Sequence, residues 1–108
     1  MKVAIGCDHH GVALKDQLIK RLTDEGHEVF DAGTNTDDAV DYPDIAGAVS
    51  RRVRDGESDR GILICGSGIG MSIAANKHDG VRAAVCMDVE TAELCRRHND
   101  TNLSLIHI

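Results

Sequence analysis

A thiol followed by a run of glycines is the arrangement in this sequence with the most direct chemical use. Cys65 ends the apolar run Gly61-Ile-Leu-Ile-Cys65; Gly66-Ser67-Gly68-Ile69-Gly70 follows at once, then small and apolar residues to Lys77. That order predicts a buried strand, a tight turn and a helix start. It sets the thiol at the carboxyl end of a strand, beside free backbone N–H groups, where open α/β sheets bind ligands and helix dipoles point their positive ends. A helix N-terminus favours the thiolate, the chemically useful form of cysteine. A small substrate that carries or develops an oxyanion suits such a place. The plainer alternatives are a packing cysteine, since free Cys is among the most buried residue types, and a simple connecting turn, which needs one glycine rather than three.

Two further polar groups stand near expected strand ends. Cys7-Asp8-His9-His10-Gly11 follows the first apolar strand, and Arg97-His98-Asn99-Asp100 lies between the fourth helix and the last strand. In a parallel sheet the first group shares an edge with Cys65. Asp8 and His9 can steer ring oxygens or a phosphate there, or merely cap a helix. His98 has the side-chain type suited to proton transfer near neutral pH, but chain direction puts it at the opposite edge. That mismatch suggests service to a site on a neighbouring subunit. Cys86 and Cys95 read as packing residues. A zinc site from Cys7, His9 and Cys65 has suitable ligand types without ligand spacing. The glycine turn is neither a Walker A loop nor G-x-G-x-x-G, because Met71 stands where the last glycine belongs.

The elements that must position these groups alternate. Val3-Ala4-Ile5 is a strand, and Leu14, Leu18, Ile19 and Leu22 recur at helical spacing up to a stop at Gly26. A second strand is expected over 27–32 and an Asp-rich loop over 33–43. A helix capped by Asp44 carries Ile45, Val49 and Val53 and closes at Asp55-Gly56. Strand 61–65, helix 67–77, strand 81–86, a helix from Asp88 through Arg97 and strand 102–108 complete the order. Strand–helix alternation with short connections predicts a parallel sheet with right-handed crossovers. The fold class is therefore α/β: a three-layer Rossmann-like domain with a parallel five-stranded sheet over residues 1–108, its C-terminal helix missing. An uncovered apolar edge is expected at Leu103–Ile108, so the chain reads as truncated there or covered by another subunit, with 103–108 possibly non-native.

Composition narrows the classes. Of 108 residues 42% are hydrophobic but only 2% aromatic, so the core must be aliphatic. A net charge of -6 argues against a nucleic-acid partner, which needs a basic face. The local arginines, Arg51, Arg52, Arg54, Arg96 and Arg97, read as solvated helix faces. The sequence has no apolar run of membrane-spanning length and no signal peptide pattern. Four cysteines without C-x-x-C spacing suggest reduced thiols and a cytoplasmic location.

Taken together, Gly6-Cys7-Asp8-His9, Asp41-Tyr42-Pro43, Gly61–Gly70, Ile73–Lys77, Val81-Arg82-Ala83 and Arg97–Asn102 resemble the ribose-5-phosphate isomerase B and galactose-6-phosphate isomerase family. The motifs run in family order across residues 1 to about 102 and are specific only in combination. The resemblance implies interconversion of ribose 5-phosphate and ribulose 5-phosphate through a cis-enediolate, with no metal or organic cofactor. Cys65 is then the base that moves a proton between C2 and C1. Ser67 and the N–H groups of Gly66, Gly68, Ile69 and Gly70 hold the enediolate charge, and His98 opens the sugar ring. Asp8 and His9 hold the sugar end or the phosphate, and Asn99 a hydroxyl. It also implies a homodimer or homotetramer with sites between subunits. Family members continue past Asn102 with an Arg-containing segment that Leu103–Ile108 do not resemble. The alternatives are the same chemistry on a six-carbon sugar phosphate such as galactose or allose 6-phosphate, and an inactive sugar-phosphate-binding fragment.

Overall fold

Short aliphatic strands and amphipathic helices alternate along the chain. The structure, a computed structural model, describes residues 1–36 and 38–108. The order is β1 (Lys2–Cys7), α1 (Val12–Asp24), β2 (Glu28–Asp31), α2 (Tyr42–Arg54), β3 (Arg60–Cys65), α3 (Ile69–Asn76), β4 (Ala83–Val85), α4 (Val89–Asn99) and β5 (Leu103–His107). All strands are parallel, in the spatial order β2-β1-β3-β5-β4.

The pleat divides the core between two faces. Ala4, Leu63, Cys65, Leu103 and Leu105 face α2 and α3, where Ala46, Val49, Met71 and Ala75 meet them. Ile5, Cys7 and Ile64 face α1 through Val12, Leu14, Leu18 and Ile19. α4 lies on that second face, with the Arg96 Nη2 donating to Ser104 Oγ at 3.0 Å. The result is the expected three-layer α/β architecture. Aliphatic side chains carry it because β-branched strands and small helix residues fill a sheet covered on both sides.

Several expected boundaries move. Asp41, not Asp44, precedes α2, because Pro43 is suited to the first helical turn and draws the start back. α3 begins at Ile69 rather than Ser67, since Gly68 holds φ at +79°, outside helical space. β4 is three residues long; Arg82 instead pairs with Asn102, whose Oδ1 accepts the Arg82 N–H at 2.8 Å. Asp88 caps α4 as expected, accepting the Thr91 N–H at 2.7 Å. The last strand is not an uncovered edge. β5 lies inside the sheet, in register with β3 from Gly61–Leu103 to Cys65–His107, and β4 forms the edge. Among the described residues, no helix is long and apolar enough to cross a membrane.

Candidate active site

The spatial order makes one place in the sheet special. From β1 the chain crosses towards β2; from β3 it crosses the other way towards β4. The loops leaving β1 and β3 therefore diverge above adjacent strand ends and leave a crevice between them, the topological switch point where such sheets bind ligands. Cys7↔Ile64 is the last paired register of those strands, and the Asp8 N–H donates to the Ile64 carbonyl at 3.0 Å. Asp8-His9 and Cys65–Gly70 thus share one edge, as expected.

Cys65 is buried at the strand end, with 6% of its surface exposed. The Gly68 N–H donates to its Sγ at 3.0 Å. A backbone donor at the start of α3 therefore points at the sulfur, the arrangement by which turns hold anionic atoms. Ser67 is exposed, and its Oγ accepts the Ile69 N–H at 3.2 Å, which leaves the hydroxyl hydrogen free to donate outward. Two of the turn's amides are thus used internally. Those of Gly66, Ser67 and Gly70 find no acceptor among the described residues. The three glycines have different reasons. Gly68 needs its positive φ. A Cβ at Gly70 would come within 2.9 Å of the Tyr42 ring, whereas one at Gly66 would meet nothing within 4 Å. Gly66 leaves the turn open to solvent.

Tyr42, which had no assigned role, is the residue that sequence reasoning missed at this edge. It starts α2, is 43% exposed and lays its ring against Gly70. The signal that could have found it was its place in Asp41-Tyr42-Pro43, a helix start facing the same edge.

On the β1 side, Asp8 is nearly buried, and its Oδ1 accepts the His10 N–H at 2.9 Å. The His10 Nδ1 lies 3.7 Å from the other carboxylate oxygen. The His9 Nδ1 is buried and finds no partner among the described residues, and its ring lies 4.0 Å from that of His10. Cys7 takes no part in this edge. Its thiol faces α1 and donates to the Thr34 carbonyl at 3.5 Å, and burial pushes it above the ordinary cysteine range. The Cys7, His9, Cys65 zinc arrangement is not assembled: the two sulfurs face opposite sides of the sheet. Among the described residues, no group of three or more His, Cys, Asp or Glu gathers to hold a metal.

A buried cation, also unread in the sequence, braces the edge. Lys15 is fully buried on α1, and its Nζ donates to both Asp31 oxygens at 2.8 Å and to Asn35 Oδ1 at 2.6 Å. It pins the loop after β2, whose Gly33 carbonyl accepts the Cys7 N–H at 2.7 Å. His98 and Asn99 are not brought to Cys65. They end α4, exposed, at the amino edge of the strands, beside Asp100, whose carbonyl accepts from Arg82 Nε at 2.7 Å. Within one chain they stand across the full depth of the sheet from the thiol.

A thiol backed by an amide, an open glycine turn and a polar strand end at a switch point make a candidate site for a small oxyanionic ligand in an α/β fold. The family model described as Ribose/Galactose Isomerase matches residues 3–106. The chain belongs to that family. It is 51% identical over 102 residues to ribose-5-phosphate isomerase B of Escherichia coli, covering 94% of this chain and 68% of that protein. The structure of ribose-5-phosphate isomerase B from Clostridium thermocellum superposes with a TM-score of 0.94 at 50% identity, covering 96% of this chain and 70% of that one. The enzyme from Mycoplasma genitalium with bound ribulose-5-phosphate gives a TM-score of 0.94 at 40% identity, covering 98% and 71%.

Proposed function

We propose that the protein is an aldose–ketose isomerase acting on ribose 5-phosphate and ribulose 5-phosphate. The observation that carries this reading is the Cys65 sulfur at the head of an open glycine turn at the switch point, with the Gly68 amide 3.0 Å away. Isomerisation moves a proton between adjacent carbons, and charge gathers on two oxygens in between. Cys65 takes the proton from C2 and returns it at C1. The Ser67 hydroxyl and the unpaired amides of Gly66, Ser67 and Gly70 hold the enediolate oxygens, in positions fixed before the reaction begins. Asp8 and His9, at the end of β1 beside the glycine turn, grip the far end of the sugar phosphate.

A second copy of the chain completes the reading. His98 opens the ring and Asn99 holds a hydroxyl in the partner's site, since both lie at the wrong edge for their own. Ile69 and Ile73, one turn apart on α3, expose 60% and 56% of their surface close to the turn, an apolar stripe suited to such a copy.

Turnover of ribose 5-phosphate to ribulose 5-phosphate, with EDTA present, tests the proposal. Cys65→Ala should lower kcat by at least ~100-fold, the usual scale for losing a general base. Equal turnover by both chains overturns the assignment of the base. Turnover of galactose or allose 6-phosphate with none of the pentose moves the same chemistry to a six-carbon substrate. Binding of either sugar without turnover identifies a binding fragment.

A further inference from the structure

Two sulfurs away from the candidate site lie within reach of each other. Cys86 follows β4, Cys95 stands on α4, and their Sγ atoms are 3.8 Å apart. Cys95 is buried; it accepts the Thr101 hydroxyl at 3.0 Å and donates to the Ala92 carbonyl at 3.2 Å. Cys86 is half-buried and lines a surface cleft of about 380 Å³ with Met87, Val89, Ala92 and Ile106. One thiol is reachable from solution and the second stands directly behind it. That is the layout of an attacking and a resolving cysteine.

We propose that Cys86 and Cys95 form an oxidation site, a dithiol that peroxide converts into an internal disulfide joining the end of β4 to α4. The Cys86 thiolate attacks one peroxide oxygen and the O–O bond breaks. Cys86 becomes a sulfenic acid, and the departing hydroxide takes up the released proton as water. Cys95 then gives up its proton and attacks the sulfenic sulfur; the S–S bond forms, the S–O bond breaks, and a second water leaves. Two thiols lose two electrons and one peroxide gains them. The sulfurs must close from 3.8 Å to about 2 Å for the bond to form. Burial, and then the neighbouring Cys95, push the Cys86 thiol above the ordinary cysteine range. The Cys86 thiol therefore attacks slowly and responds to sustained rather than momentary peroxide.

The test is mass spectrometry on the reduced full chain, folded, after excess hydrogen peroxide and alkylation of the remaining thiols. The expected result is a loss of two hydrogens, two alkylatable thiols instead of four, and a Cys86–Cys95 cross-linked peptide that dithiothreitol reverses. Cys86→Ser and Cys95→Ser should each abolish the cross-link. Four thiols still alkylatable, oxygen added at Cys86 without a bridge, a bridge involving Cys7 or Cys65, or a two-hydrogen loss that survives in Cys95→Ser would each overturn the proposal. The readout is covalent, so it stands or falls independently of the isomerase reading.

Discussion

At the scale of residues, the turn after β3 is shaped more by what approaches it than by its own flexibility. Gly70 gives way to the Tyr42 ring, and a Cβ there would sit 2.9 Å from the Tyr42 Cζ. Gly70→Ala should cost about 1–3 kcal/mol, the usual range for forcing an atom into a filled contact. Denaturant melts of Gly70→Ala, Tyr42→Ala and the double variant check this. In the double variant the Gly70→Ala cost should largely vanish, because the ring it collides with is gone. Gly66→Ala is the control: nothing lies within 4 Å of its Cβ, so stability should hold. The thiol and its glycines were legible in the sequence because they are contiguous and their order implies strand, turn and helix. Tyr42 was not, because its meeting with Gly70 spans a loop and a crossover.

Among the elements, α1 and β2 are joined by a charge rather than by apolar contact alone. The Lys15 ammonium has no exposed surface, while the Asp31 side chain keeps about a third of its own. Lys15→Met should destabilise the protein by about 3 kcal/mol, the lower part of the range for removing one member of a buried pair, because Asp31 can still reach water. Adding Asp31→Asn should recover part of that loss in the same melts. This clasp was hidden in the sequence: a lysine beside Leu14 looks like the start of the polar face, and its partners lie 16 and 20 residues on. The helix periodicities were plain, but the points where the backbone leaves the helix were not. Those depend on local bonds, such as the Ser67 Oγ accepting from Ile69. At α4, the Thr91 amide and then its hydroxyl hold the Asp88 carboxyl below the usual range. A carboxylate with a depressed folded pKa stabilises the fold above its unfolded pKa of about 3.9 and loses that contribution as pH falls through the folded value. The stability gap between the parent and Asp88→Ala should therefore be full at neutral pH and narrow below about pH 4; thermal melts across that window check it.

For the whole molecule, the question is where a complete site forms. The thiol stands at one edge of the sheet, and His98 and Asn99 at the other. Chain direction already implied this separation, because a helix following β4 must end where β5 begins. If two copies share their sites, Cys65→Ala and His98→Ala chains, each inactive alone, should regain part of the parent turnover when unfolded and refolded together. Ile73→Glu should block that recovery and lower the sedimentation coefficient while leaving far-UV circular dichroism unchanged. The sequence order of strands did not disclose their spatial order, since β5 is as apolar as an edge strand facing a partner would be. Its place between β3 and β4 also bears on how the chain comes off a ribosome. β4 emerges before β5, the strand it pairs with, has been made, so it has no seat in the sheet when it is synthesised. The half formed by β2, β1 and β3 can assemble as it is synthesised. β4 can join the sheet only once β5 has been made, with β5 as the keystone between it and β3.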